Sequence, residues 1–395
     1  MAITITAARA PTLRTLSGGG LALAAAMGIG RFAYTPILPA MQRATGLSTG
    51  TAGLLASSNY AGYLVGALLV ASIPSGAPRR RILIGSLIVV GVTTALMAGT
   101  TNTLAWGVIR FLSGVASAGV FVLASGLVLG ALRRQRRISQ AGWLYAGVGI
   151  GIASSGFVVR AGRGVLGWRG DWLVLAAVAI AAVYPCWRLL PRPDAEAASP
   201  TTEQLQSDRP PGRALALLFG AYFLEAVGYI VTGTFLVAIV NRTPGLEATG
   251  ANVWIVVGLA AVPAAVLWTA AAARFGLARA LTLAYSAQAG GILLPIMGGV
   301  GADYASAILF GGTFIGITAL TLTLAGQLAP HRPAELIGLL TAAYGVGQII
   351  GPILAASLAS RADSFVPALI AAASVVFVGG VLMVALHASS AHLIR

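Results

Sequence analysis

Along the chain, stretches of about 20 residues that are apolar on every face alternate with short polar stretches rich in Arg, Gly, Pro and Ser. A helix that is hydrophobic all round belongs in a large core or in lipid, and about 20 such residues cross the hydrocarbon of a bilayer. Read on that basis, the pattern predicts twelve spanning helices, at 17–42, 48–73, 80–100, 102–132, 138–160, 170–190, 213–240, 250–273, 278–298, 302–329, 334–360 and 364–388. The first begins as a secretory signal would, with Arg14 ahead of a short apolar run and small residues. The run continues to Met41, so an uncleaved spanning helix is expected.

One stretch breaks the alternation. Residues 191–212, starting "PRPDAEAASPTTEQ", are rich in Pro, Ser and acid and nearly empty of large apolar side chains, which is linker composition. The linker separates two halves of six helices, 1–190 and 213–395. The halves resemble each other: "GRFAYTPILPAMQRATGL" (30–47) aligns with "GYIVTGTFLVAIVNRTPGL" (228–246), and "GWLYAGVGIGIASSG" (142–156) with "GLLTAAYGVGQIIGP" (338–352). The expected fold is therefore an all-α membrane protein with twelve transmembrane helices in two pseudo-symmetric six-helix bundles. Paired repeats of this kind are a common plan of secondary transporters.

Composition removes the soluble alternatives. Of 395 residues, 57% are hydrophobic and only 9% charged, where a soluble domain carries about 25% charged residues. The net charge is +15, and all 25 cations are Arg. They cluster between apolar runs instead of forming a nucleic-acid-binding stripe, so no nucleic-acid partner is expected. With the N-terminus inside, 17 Arg fall on the inner side and six on the outer, which puts both termini in the cytoplasm. The outer loop with Arg160, Arg163 and Arg169 runs against that rule, and Asp171 offsets one of its charges. Cys186 is the single cysteine, which excludes an intramolecular disulfide. His331, His387 and His392 fall near helix ends or the C-terminus and read as interfacial residues. No span holds a His in its middle or paired carboxylates, so neither a catalytic constellation, a metal site nor a cofactor is expected. Nor is there a repeated filter loop or ring of charges that would mark a channel.

Three charges sit deep inside spans, away from their ends. Arg31 lies mid-helix, where a guanidinium costs about 2.5–3.5 kcal/mol and needs a cavity or a partner. On α-helical spacing it shares a face with Met27, Tyr34 and Thr35. Glu225 is the one acidic residue in the middle of a span, on a face with Tyr222, Tyr229 and Thr232. At about 1.5 Å per residue, Arg31 and Glu225 lie roughly 21 and 18 Å from the cytoplasmic ends of their helices. The depths nearly match, so Glu225 is the candidate charge partner for Arg31 if the two helices face each other, as the family resemblance given below implies. Proton exchange at Glu225, a static ion pair and direct substrate contact all fit this much. Arg110 shares a face with Ser113, Gly114 and Ser117, and either contributes to a substrate site or packs on backbone carbonyls. Asn59, Tyr60, Tyr145, Gln288, Thr313, Tyr344 and Gln348 are further polar groups inside spans. Most such groups only bond across helices.

Local motifs point to a family. "RFLSGVASAG" (110–119) resembles the fourth-helix R-x-x-x-G-x-x-x-A pattern of the major facilitator superfamily, and "GVGIGIASSG" and "GVGQIIGP" resemble its glycine-rich fifth and eleventh helices. "GWRGDW" (167–172) is similar to the W-R pair that opens its sixth helix. "GIGRFAYTPILPAM", "YFLEAVGYIVTGTFL", "LFGGTFIGITAL" and "TAAYGVGQIIGP" resemble the YbfB/YjiJ branch. The loop "SGAPRRR" (75–81) departs from the superfamily's usual G-x-x-x-D-R-x-G-R-R by lacking Asp. The resemblance implies a bacterial inner-membrane transporter working by alternating access, with helices one and seven facing each other across a central cavity. It implies no particular substrate.

The expected function is proton-coupled transport of a small organic solute by a monomer in the lipid bilayer. Arg31, Tyr34, Asn59, Arg110, Glu225, Tyr229, Tyr344 and Gln348 are its candidate substrate-binding or coupling residues. Two alternatives stand beside it: an efflux pump for amphipathic compounds with Glu225 as the proton site, and a non-transporting membrane sensor on the same fold.

Overall fold

The structure, a computed structural model, describes residues 2–74, 77–191, 212–247, 249–328 and 333–389. Among them every regular element is a helix. Twelve are long and apolar enough to span a membrane, and we number them α1 (Thr12–Thr45), α2 (Thr49–Ala71), α3 (Arg79–Gly99), α4 (Thr103–Arg134), α5 (Ile138–Ala161), α6 (Gly167–Leu189), α7 (Gly212–Val240), α8 (Gly250–Phe275), α9 (Leu277–Met297), α10 (Val300–Leu328), α11 (Leu336–Ala362) and α12 (Val366–Ala388). Each overlaps its sequence-expected span. Apart from Pro191 and Gly212, the expected linker lies outside the described residues, as do His331 and His392.

The packing repeats with a shift of six helices. In the first six spans α2 and α3 pack on α4, α3 on α6, and α1 on α5 and α6. In the last six α8 and α9 pack on α10, α9 on α12, and α7 on α11 and α12. The contacts between the two sets obey the same shift, since α2 meets α11 and α5 meets α8.

Glycine permits these approaches. With no hydrophobic drive between helices in lipid, association rests on close van der Waals packing of small residues. A Cβ on Gly62 of α2 would run into the Phe111 carbonyl of α4, and one on Gly311 of α10 into the Val257 carbonyl of α8. α5 is lined with glycine on two sides. Gly147 and Gly151 abut Gly20, Ala24 and Gly28 of α1, while Gly149 abuts Gly258 of α8.

Two spans are interrupted. α6 turns at Ala182, between Gly167–Ala181 and Val183–Leu189, because Pro185 has no N–H for the preceding turn. α1 is α-helical to Leu23, π-helical over Ala24–Ile29, turns through 30–33 and resumes as Tyr34–Thr45. The Gly30 N–H bonds to the Ala25 carbonyl at 3.0 Å, and the Phe32 N–H to that of Met27 at 3.0 Å. This i to i−5 pattern is the signature of a π-bulge, which recurs at functional sites.

We call the end of the bundle that carries Thr12 and Ala388 the terminal end, and the opposite one the far end. α5 and α8 touch along their length, from Gly142 against Val266 to Gly156 against Ile255. In the far half the Thr35 hydroxyl donates to the Gly233 carbonyl of α7 at 2.5 Å. The Ser57 hydroxyl donates to the Ile349 carbonyl of α11 at 2.7 Å. Toward the terminal end α1 leans instead on α4, α5 and α6.

Candidate functional site

The interruption of α1 decides where its polar side chains go. α-Helical spacing predicts one face for Arg31, Tyr34 and Thr35. The structure turns Arg31 and Tyr34 toward α2 and Thr35 toward α7, with the turn at 30–33 interrupting the helix between Arg31 and the other two. Tyr34 donates to the Ala52 carbonyl of α2 at 3.1 Å, Thr35 reaches α7, and Arg31 enters an aromatic cage. The Arg31 guanidinium carbon lies 4.5 Å from the Tyr63 ring centre, 4.7 Å from Tyr60 and 5.4 Å from Phe32. A cation over desolvated ring faces gains about 2 kcal/mol or more. Arg31 is 3% exposed, and its Nε and Nη2 have no hydrogen-bond partner.

Interrupting a helix leaves carbonyls without intrahelical donors, and α4 supplies the donors. Arg110 Nη1 and Nη2 bond to the carbonyls of Gly30 and Arg31, each at 3.2 Å. Ser113 donates to the Gly30 carbonyl at 3.0 Å, and Ser117 to that of Ala26 at 2.9 Å. Of the two roles open to Arg110, the geometry is that of a clamp on backbone carbonyls. Its guanidinium also lies 4.8 Å from the Tyr34 ring centre. Asn59 of α2 is fully buried and donates to the Arg110 carbonyl at 2.8 Å, which ties α2 to α4. The Arg110→Met variant is expected to unfold about 5 °C lower, since the buried Arg31 carbonyl left without a donor costs about 1–3 kcal/mol. Tryptophan fluorescence during heating in detergent measures this, and an unchanged midpoint would remove the clamp role.

Glu225 lies across the bundle on α7. It is fully buried and neither carboxylate oxygen has a hydrogen-bond partner. Gln288 of α9 and Tyr344 of α11 are its polar neighbours. No ion pair joins it to Arg31. Equal depth placed the two side by side in the sequence reading. In the structure Tyr229 lies within the field of both. Gln348 donates from Nε2 to the Tyr229 hydroxyl. Tyr344 stacks on Tyr222 with centres 4.2 Å apart and on Tyr229 at 5.6 Å. The stack continues from Tyr229 to Phe314 at 6.1 Å and from Phe314 to Phe310 at 5.4 Å. Phe32, one wall of the Arg31 cage, meets Phe314 edge-on at 6.1 Å. An aromatic wall thus runs from the guanidinium to the carboxylate.

Of the eight candidate residues, Arg31, Glu225, Tyr229, Tyr344 and Gln348 gather around this wall. Tyr34, Asn59 and Arg110 form the support behind Arg31. Tyr63, Phe310 and Phe314 were not candidates. The i, i+3 spacing of Tyr60 and Tyr63, beside a helix with a buried Arg, was the available signal.

A separate cavity of about 480 Å³ opens at the far end, lined among others by Pro39, Arg43, Arg160, Arg163, Asp171 and Asn252. Arg160 donates to the Asn252 side chain. Arg163 Nη2 lies 3.5 Å from the Glu247 carbonyl oxygen. The outer loop that ran against the charge rule therefore carries arginines that line this cavity and link the two sets of helices. Asp171 is 4% exposed, and its Oδ1 has no partner.

A sequence profile of the family described as "Uncharacterised MFS-type transporter YbfB" matches residues 23–384. The chain is 28% identical over 247 residues to a chloramphenicol resistance protein of Streptomyces lividans, covering 59% of each chain. It is 25% identical over 342 residues to a gentisate transporter of Corynebacterium glutamicum, covering 82% of this chain and 76% of that one. In fold it is similar to crystal structures of the nucleoside transporter NupG. A point mutant of NupG superposes with a TM-score of 0.72 at 14% identity, covering 97% of this chain and all of that one.

Proposed function

Because the chain belongs to the YbfB family of MFS-type transporters, we propose that it moves a small organic anion across the bacterial inner membrane in exchange for, or together with, protons. As a member of that family it is a multi-pass membrane transporter of small molecules, not an enzyme. The reading rests on one observation: a buried guanidinium and a buried carboxylate, on opposite sets of helices, neither of them paired. An unpaired buried charge costs several kcal/mol, so each calls for a mobile counter-charge. For Arg31 that is the anionic group of the solute, and for Glu225 it is a proton.

In this reading the solute's apolar body lies along the aromatic wall and its charge meets Arg31 inside the cage. Protonation of Glu225 removes the second charge and lets residues 1–190 and 213–395 rock about the α5–α8 seam. In this reading the arginine bias assigns the terminal end to the cytoplasm. The far-end cavity is then the solute's periplasmic approach, where Arg43, Arg160 and Arg163 attract anions. Gentisate, the cargo in one relative's name, is a carboxylate, as this reading requires. The relative named for chloramphenicol resistance supports a second reading, efflux of amphipathic compounds along the same wall.

The test is solute-driven proton movement in proteoliposomes across organic anions and drugs, gentisate and chloramphenicol included. The wild-type protein is expected to move protons with at least one anion. The Glu225→Gln variant is expected to lose that proton flux tenfold or more, about 1.4 kcal/mol, while retaining exchange of labelled for unlabelled solute. Proton flux that survives the substitution would return Glu225 to a structural role. Proton flux with drugs and with no anion would favour the efflux reading.

A further inference from the structure

Among the described residues of the last six spans, six of the eleven buried polar atoms without a hydrogen-bond partner belong to four residues around Glu225: both Glu225 oxygens, Gln288 Nε2 and Oε1, the Tyr285 hydroxyl and the Thr321 hydroxyl. All four residues are fully buried. They come from three helices, α7, α9 and α10. Gln288 neighbours Glu225. Tyr285 neighbours Thr321 and lies within the field of Glu225.

Their heights descend in order. At about 1.5 Å per residue, Glu225 lies about 20 Å above the terminal end of α7, Gln288 about 17 Å and Tyr285 about 12 Å above that of α9, and Thr321 about 11 Å above that of α10. Backbone packing fixes the third step. The Tyr285 ring lies against the Gly379–Gly380 pair of α12, where a Cβ on Gly379 would come 2.8 Å from Tyr285 Cε1. Only glycine leaves room for the ring at that point.

In folded proteins more than about 90% of buried polar groups have a partner. Six without one, descending from a carboxylate, fit sites for water molecules that each bond two to four groups. We propose that Glu225, Gln288, Tyr285 and Thr321 hold a file of water that carries protons between Glu225 and the terminal end, apart from the solute's path past Arg31. This rests on the reading of Glu225 as the proton carrier.

Protons balance along the file. The Glu225 carboxyl gives its proton to the first water, and each water or hydroxyl then accepts one proton and passes one on. A hydronium ion leaves at the terminal end, and Tyr285 and Thr321 finish unchanged. The other groups facing Glu225 are Tyr222 and Tyr229 on its own helix and Tyr344 of α11. None of them carries a fixed charge at neutral pH. The fixed charge of Arg31, from α1, bears on Tyr229.

The test needs no identified solute. In lipid-reconstituted protein moved from H2O to D2O, infrared spectroscopy follows deuterium exchange of the Glu225 carboxyl band, assigned by its loss in Glu225→Gln. The Tyr285→Phe/Thr321→Val double variant is expected to slow this exchange about tenfold, the scale of removing hydroxyl hydrogen bonds. Exchange as fast as in wild type would overturn the water file while leaving Glu225 as the proton carrier. The absence of any carboxyl band at Glu225 between pH 5 and 9, a window chosen as roughly two decades either side of neutrality, would overturn the carrier reading itself. Radiolytic footprinting of the wild-type protein gives a second readout. Trapped water is expected to produce hydroxylation of Tyr285 despite its burial, and an unlabelled Tyr285 would overturn the proposal.

Discussion

Replacing Arg31 with Gln is expected to lower the transport efficiency for the cognate anion about 100-fold or more. Truncating one partner of a buried charge pair costs about 2–5 kcal/mol, and about 1.4 kcal/mol is a factor of ten. The cage explains why no other side chain compensates. Tyr60, Tyr63 and Phe32 present ring faces to the guanidinium, and a ring face offers an anion nothing. Arg110, the nearest other buried cation along α4, has both terminal nitrogens committed to the carbonyls of Gly30 and Arg31. Arg31→Lys keeps the charge and loses the planar fork, so it is expected to fall between wild type and Gln. The loss should appear in KM as well as in rate, because the solute's charge meets Arg31 on binding. Uptake assays in proteoliposomes measure both. A Gln variant with wild-type KM would mean that the solute's charge goes elsewhere.

The Gly151→Val variant is expected to yield little folded protein. Where α5 crosses α1, a Cβ on Gly151 would meet the Ala24 carbonyl and come within 2.8 Å of the Ala24 and Gly28 Cα atoms. These are backbone atoms and have no alternative rotamer. Overpacking costs about 1–3 kcal/mol even where side chains can move, so a clash of backbones lies above that range. Against total stabilities of about 5–15 kcal/mol, the unfolding midpoint should fall by about 10 °C or more. Gly126→Ala is the control, since open space surrounds Gly126. It should leave abundance and midpoint unchanged in size-exclusion and thermal-unfolding measurements. A well-folded Gly151→Val protein would show that α1 and α5 do not need backbone contact.

The spans were legible because lipid imposes one rule on all of them, about 20 residues without charge. The rule also made the exceptions legible. Arg31, Arg110 and Glu225 stand out in sequence because a buried charge is expensive, and all three lie at or beside the aromatic wall. Their partners were not legible. Equal depth suggests pairing Arg31 with Glu225, but depth is one coordinate of three, and Arg31 meets the rings of Tyr60, Tyr63 and Phe32 instead. The face that joins Thr35 to Arg31 and Tyr34 assumes an unbroken 3.6-residue pitch, but Thr35 meets α7 while the other two meet α2. The π-helix at Ala24–Ile29 breaks that pitch where α1 presses on Gly151, and local spacing holds no record of a contact some 120 residues away. The break at Ala182 falls just ahead of Pro185 and could have been read from that proline.

The interruption of α1 bears on how the chain assembles. On leaving the translocon, α1 would carry a guanidinium at mid-depth, which costs about 2.5–3.5 kcal/mol to place in lipid, together with carbonyls that its own N–H groups do not reach. The donors for those carbonyls, Arg110, Ser113 and Ser117, are synthesised some 80–90 residues later. The aromatic faces for Arg31 arrive with α2. A newly made α1 therefore has reason to wait in the protein-lined lateral gate, or beside a membrane chaperone, until α2 and α4 join it. The first four helices then enter the bilayer as one assembly.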